Sequence, residues 1–199
     1  ELISKKKAVL LFENLNFNGD ISDWDVSKVI YMTCMFNECK KFNGDISGWN
    51  VSKVTDMNGM FYDCKSFNQD ISKWNVSKVK YMHSMFYECE NFNQDLSKWN
   101  VSKVTDMGWM FGYCEKFNGD ISNWDVSSVN NMWGMFQWSD FNGNISNWNV
   151  SNVTDMFGMF EYSKFNGDIS NWNVSNVTTT IGMFTSSPLE KNPPKWYKR

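Results

Sequence analysis

Tryptophan recurs at a fixed interval along this chain, and that interval restricts what the chain can fold into more than any other feature. Trp24, Trp49, Trp74, Trp99 and Trp124 lie 25 residues apart, and Trp148 and Trp172 follow at steps of 24. Self-similarity at a fixed period of about 20 to 50 residues marks a repeat protein, in which each unit buries its apolar face only against its neighbours. The 199 residues therefore predict one elongated domain.

Phe42 to Ser66, FNGDISGWNVSKVTDMNGMFYDCKS, is a representative unit, written seven times with small edits. Ile46, Trp49 and Val51 follow an I-x-x-W-x-V spacing, which predicts a short strand with Trp49 and Val51 on one side. Val54, Met57, Met60, Phe61 and Cys64 fall at i, i+3, i+6, i+7 and i+10, which predicts one face of a helix. Ser52 suits its N-cap and Asp56 its first turn. Phe67 brings the chain back, and Asn43-Gly44-Asp45 and Asn68-Gln69-Asp70 supply turn residues. The expected fold is α/β, a right-handed leucine-rich-repeat-like solenoid (horseshoe) of about seven 24–25-residue repeats, with parallel strands on the concave side and short helices on the convex side. Residues 1–16, with Ala8, Leu11 and Phe12, read as an incomplete capping repeat whose KKKAVLLFENLN run is helical. Residues 17–187 are the repeat array, and residues 188–199, which hold all three Pro, are a C-terminal cap or linker with Trp196 and Tyr197 folding back on the last coil.

The consensus F-N-x-D-I-S-x-W-[ND]-V-S-x-V-x-x-M-x-x-M-F-x-x-C resembles the BspA-like leucine-rich-repeat surface proteins, in the 25-residue version found in mycoplasma lipoproteins and in other bacterial, protist and large-virus surface proteins. The resemblance covers about residues 8–187. It implies a leucine-rich-repeat-like horseshoe, a cell-surface or secreted role in adhesion and interaction, and no catalysis. Departures are local: Ser139, Ser163 and Ser187 replace the Cys, Asn144 replaces the Asp, Thr180 replaces the first Met, and the last units are one residue shorter.

Net charge is −3, so no bulk field argues for nucleic acid or an anionic membrane, and no apolar run is long enough to span a bilayer. There is no signal peptide, but the chain opens at Glu1 without Met, as a mature form or a piece of a longer protein would, so this decides nothing about compartment. Cys39, Cys64, Cys89 and Cys114 form a ladder with Cys34 apart. Without C-x-x-C spacing, and with Ser replacing Cys in three units, they read as small buried thiols and not as metal ligands or disulfides. Asp20, Asp45, Asp70, Asp95, Asp120 and Asp168 form a second ladder, read as turn caps with calcium as the alternative. His83 occupies a variable outer slot. No nucleophile, base and orienter recur together, so no enzyme, cofactor or metal site is expected.

Two surfaces remain as candidates. One is a concave polar row, Asn50, Asn75, Asn100, Asp125, Asn149 and Asn173, flanked by Lys73 and Lys98, which reads equally as a binding face for protein or glycan and as a solvated sheet face. Its Asn-Val-Ser sequons follow from the repeat itself. The other is aromatic: Trp109, Tyr113, Trp133, Trp138, Phe157 and Tyr162 sit at slots where earlier units carry Thr33, Asn58, Glu38, Asp63 or Glu88. They read as a docking patch or as filling between splayed helices. The expected function is non-enzymatic recognition or adhesion, with a protein or surface glycan as partner, at a cell surface or outside the cell. The alternatives are a structural coat, fibre or shell component that self-associates at a virion or other particle surface, and a carbohydrate-binding module.

Overall fold

The computed structural model describes residues 7–13 and 15–198, and among them it contains no α-helix and no strand of consecutive paired residues. The only helix among the described residues is a single 3-10 turn, Pro188–Glu190. The α/β solenoid expected from the periodicity is therefore corrected. Each coil is instead a chain of β-turns. In the coil that opens at Ile46, the N–H of Trp49 donates to Ile46 O at 3.1 Å, Val54 to Val51 at 2.9 Å, Met60 to Met57 at 3.2 Å, Cys64 to Phe61 at 3.0 Å and Phe67 to Cys64 at 3.0 Å.

The reason for the misreading is geometric. A β-turn brings residues i and i+3 close together, and here both point into the core. Met57, Met60, Phe61 and Cys64 fit a helix face at i, i+3, i+4 and i+7, but they also fit two abutting turns, M-x-x-M and F-x-x-C. Backbone dihedrals decide the matter. The third residue of each of these turns has positive φ, as in Cys34 (53°) and Glu38 (59°), Gly59 (56°) and Asp63 (54°), or Trp109 (57°) and Tyr113 (56°), the mark of type II turns. In the helix reading, the N–H groups of Met57, Gly59, Phe61 and Asp63 would bond within their own segment. Instead they donate to the carbonyls of Tyr81, His83, Met85 and Tyr87 in the next coil, at 2.7–3.0 Å.

The expected strand is corrected too. I-x-x-W-x-V is the end of one turn and the start of another, and coil-to-coil pairing falls at single parallel bridges joining Lys7, Tyr31, Asp56, Tyr81, Asp106, Asn131, Asp155 and Thr179. Nor do Ser52 and Asp56 cap a helix: Ser52 N–H donates to Asn50 Oδ1 at 3.2 Å, and Asp56 Oδ1 accepts from Asn58 N–H at 2.9 Å.

Stacking places identical side chains above one another. Phe12, Phe36, Phe61, Phe86, Phe111, Phe136, Phe160 and Phe184 form a column with centroids 5.4–6.0 Å apart. Each repeat Trp from Trp49 to Trp172 is nearly fully buried and donates its indole N–H to a backbone carbonyl of the preceding coil, as Trp99 does to Ile71 O at 3.1 Å. Asn18, Asn43, Asn68, Asn93, Asn118 and Asn142 accept, through Oδ1, the backbone N–H of the equivalent Asn one coil on, at 2.8–2.9 Å.

Residues 7–13 take the turn half of a coil, with Ala8, Leu10 and Phe12 N–H groups donating to Tyr31, Thr33 and Met35; residues 1–6 and 14 of the expected cap lie outside the described residues. At the other end the chain keeps register beyond the last full unit: Trp196, 24 residues after Trp172, stacks on it at 6.5 Å and donates to Ile169 O at 2.9 Å. The shortened coils share a further adjustment. Where Cys114 Sγ–H donates to Phe86 O at 2.9 Å and Cys114 O accepts from Phe117 N–H at 3.3 Å, Ser139 and Ser163 accept the N–H of Phe141 and Phe165 on Oγ, at 3.2 and 3.3 Å. One hydroxyl thus takes over the acceptor role that the missing residue puts out of reach of the carbonyl.

Candidate functional site

The conserved turn chemistry accounts for most of the polar rows. Asp20, Asp45, Asp70, Asp95, Asp120 and Asp168, and Asn144 in their place, each accept the N–H of the Ser two residues on, at 2.8–3.0 Å. For Asp20, Asp45, Asp120 and Asp168 that N–H, and secondarily the Ser hydroxyl, holds the carboxyl below its ordinary value; for Asp70 and Asp95 the hydroxyl is the larger influence. Among the described residues no three His, Cys, Asp or Glu converge as metal ligands would. The four ladder thiols are buried and donate to carbonyls of the preceding coil at 2.8–3.0 Å. Burial pushes Cys39 up to about 11 and Cys64, Cys89 and Cys114 higher still, so they stay protonated. His83 Nδ1 lies 3.4 Å from Asp106 Oδ1. Burial would raise the Asp106 carboxyl, but hydrogen bonds from His83, Gly108 and Asn131 bring it below its ordinary value.

The polar row expected as a concave face is a second set of the same turns. Asn50, Asn75, Asn100, Asp125, Asn149 and Asn173 are exposed, and their Oδ1 atoms accept Ser N–H groups at 3.1–3.2 Å. Lys73 and Lys98 are exposed beside them. One side-chain acceptor in each turn is thus already engaged, and the row is even along the stack.

The aromatic slots are not even. Tyr62 stacks on Tyr87 at 4.7 Å, and Tyr87 then touches both Trp109 and Tyr113 at 5.4 Å, where the column forks. One branch runs Trp109, Trp133, Phe157 at 5.9 and 5.8 Å; the other runs Tyr113, Trp138, Tyr162 at 5.8 and 4.2 Å. Trp133, Trp138 and Tyr162 remain 40%, 44% and 43% exposed. Trp109 behaves differently: a Cβ on Gly134 or Gly112 would come within 2.8 Å of its ring, so it is wedged into clefts those glycines leave open. Packing describes Trp109, and exposure describes Trp133, Trp138 and Tyr162. Trp109, Tyr113, Trp138 and Tyr162 all hold left-handed backbone, with φ of 54–57°, a conformation that costs a non-glycine residue roughly 1–2 kcal/mol.

The sequence reading missed Tyr62 and Tyr87, which follow the column Phe in adjacent units and start the ridge. In the earlier coils the corresponding surface is charged: Lys40 pairs with the buried Asp63 at 2.9 Å, and Lys65 pairs with Glu90. Burial, with the charge of Asp63, raises the Glu88 carboxyl. Lys164 pairs with Asp140 at the same slots in the later coils, so what changes along the stack is the neighbouring slot, from Glu38, Asp63 and Glu88 to Tyr113, Trp138 and Tyr162. The indole N–H groups of Trp109, Trp133 and Trp138 meet no acceptor among the described residues.

The family model described as "Mycoplasma protein of unknown function, DUF285" matches this chain twice, over residues 6–121 and 88–196. No curated protein matches it. A chain in the crystal structure of a TLR13–ssRNA13 complex is similar over 76% of this chain at 9% identity, with a TM-score of 0.27, too slight to carry an argument; the match spans 26% of that chain. Among the described residues no helix is long and apolar enough to cross a membrane.

Proposed function

We propose that this chain, which belongs to the mycoplasma family of unknown function DUF285, is a non-enzymatic recognition scaffold, displayed at a cell surface as in BspA-like repeat proteins, and that the forked aromatic ridge is its contact surface for a protein partner. The observation that carries this reading is the ridge itself: Trp133, Trp138 and Tyr162, 40–44% exposed in consecutive late coils and joined to their neighbours ring against ring, whereas the equally exposed Tyr31 and Tyr81 of earlier coils make no ring contacts among the described residues. Trp and Tyr dominate protein contact surfaces. A protein partner is favoured over a glycan because Tyr113, Trp138 and Tyr162 stack face to face. Ring faces, which sugars would cover, are taken by neighbours; ring edges and indole N–H donors remain, and these suit apolar side chains and backbone carbonyls.

The test is binding of the labelled chain to intact animal cells, comparing wild type with the double variant Trp133→Ser, Trp138→Ser after its unfolding midpoint is shown to be unchanged. Binding lost in the variant and after protease treatment of the cells supports the reading. Binding that the variant retains, or that only glycosidase treatment removes, contradicts it, as does absence of binding by wild type.

A further inference from the structure

Lysine and aspartate form two columns along the first four coils. Lys28, Lys53, Lys78 and Lys103 recur at the 25-residue step, and Asp20, Asp45, Asp70 and Asp95 recur eight residues ahead of them. Hydrogen bonds between coils hold both columns in register. Two residues beyond Lys53, Lys78 and Lys103, the N–H groups of Thr55, Lys80 and Thr105 donate to Ile30, Thr55 and Lys80 O at 2.8–2.9 Å. Two residues before Asp45, Asp70 and Asp95, the N–H groups of Asn43, Asn68 and Asn93 donate to the Asn Oδ1 of the preceding coil at 2.9 Å. Each column therefore advances by one coil, about 4.8 Å, per charge.

All eight side chains are exposed, and among the described residues none of them makes an ion pair, either with the other column or elsewhere. The later coils show that the fold does not require an open charge at the Lys slot. There it holds Ser128, Asn152 and Asn176, whose side chains donate to Ser102, Ser127 and Ser151 O of the preceding coil at 2.7 Å. Those residues bond to their own stack, whereas the four Lys ammonium groups are left to solvent. In the coil of Asn152 the Asp also gives way to Asn144, so both columns lose their charge there together.

We propose that the two columns are an interface between two copies of this chain, the Lys column of one lying along the Asp column of the other. The argument is pitch. An unrelated polyanion would have to match a spacing of one charge per coil, but a second copy matches it necessarily, because one stack sets both columns. A two-fold axis parallel to the stack keeps coil level with coil. Lys28, Lys53, Lys78 and Lys103 then meet Asp20, Asp45, Asp70 and Asp95 of the second copy, and the reverse, in the closed symmetry usual for homodimers. Exposed pairs are individually weak and are screened by salt, so the contact forms at high local concentration. It shares no residue with the aromatic ridge.

The experiment is sedimentation equilibrium of the full chain up to millimolar concentration, at 10 mM and at 1 M salt, where the screening length is about 30 and about 3 Å. A mass rising toward twice that of the chain is expected at low salt, and a single chain at high salt. Lys53→Glu, Lys78→Glu and Lys103→Glu together should raise the dissociation constant at least tenfold, while Trp133→Ser with Trp138→Ser leaves it within twofold. If the triple Glu variant shifts the unfolding midpoint, the corresponding Gln variant takes its place. Association that survives 1 M salt, that is indifferent to the Lys substitutions, or that the Trp substitutions abolish would overturn the proposal. So would a chain that stays single at 10 mM salt, including one that captures heparin, which would assign the Lys column to a foreign polyanion.

Discussion

Deleting Lys116 from the Cys114 coil converts a 25-residue unit to the 24-residue form and separates two effects that the natural coils always combine. Phe117 is fully buried and its N–H rests on Cys114 O at 3.3 Å, a bond the shorter turn cannot keep if it follows the Ser139 and Ser163 coils. A thiol is a weak acceptor, so the deletion alone leaves a buried donor nearly unpaired, at a cost of about 1–3 kcal/mol. Adding Cys114→Ser supplies Oγ as acceptor and should return about 1–2 kcal/mol of that. In the full-length coil the same Cys114→Ser exchange only substitutes one donor to Phe86 O for another and should cost less than about 1 kcal/mol. The four proteins form a double-mutant cycle, read by urea unfolding with the slope checked for constancy. The predicted coupling is favourable and at least about 1 kcal/mol. Zero coupling, or a deletion as well tolerated with Cys as with Ser, would refute the account of the shortened coils. The exposed Lys116 to Asn91 hydrogen bond is lost in both deletions and cancels.

Other expectations follow from the same contacts. Trp99→Phe removes the indole bond to Ile71 O and part of a ring that is 3% exposed, and should lower stability by about 2–4 kcal/mol in urea unfolding. Because the Asp ladder carboxyls are held below their ordinary 3.8, their contribution is present above that pH and fades as pH falls through the lowered values. Replacing Asp45, Asp70, Asp95 and Asp120 by Asn, already the residue at Asn144, should lower the midpoint at pH 7 modestly, since the amide oxygen still accepts the Ser N–H but without the charge, while flattening its fall below pH 4. Thiol titration with a disulfide reagent should label Cys34, half-buried, before Cys39, Cys64, Cys89 or Cys114, which should react only on unfolding.

Much of the core was legible because stacking makes the repeat its own alignment: the invariant Phe, Met, Val and Trp columns are the buried residues. Secondary structure was not legible, because M-x-x-M-F-x-x-C satisfies a helix face and a pair of type II turns alike. A weak cue lay at the third turn position, where Gly59, Gly134, Gly158 and Gly182 stand in one row. Glycine recurring inside an apparent helix favours a left-handed turn over a helix interior. The aromatic slots were visible as departures from the repeat, but Tyr62 and Tyr87 were masked because two adjacent units share the residue. Trp109 could not be told from its neighbours without the clefts at Gly112 and Gly134. Trp196 was legible in spacing, since it extends the 24-residue step, yet its indole bond to Ile169 O required the fold.

The most direct measurement is backbone NMR over residues 107–114 and their neighbours in the next two coils. Linked turns carrying an aromatic ridge predict positive φ at Trp109 and Tyr113 only, backbone contacts from Trp109 to Trp133 and from Tyr113 to Gln137, and ring contacts from Tyr113 to Trp138 and Trp138 to Tyr162. An uninterrupted run of helical Cα shifts from Met107 to Cys114, with no contacts between these coils, would contradict both the fold and the surface built on it.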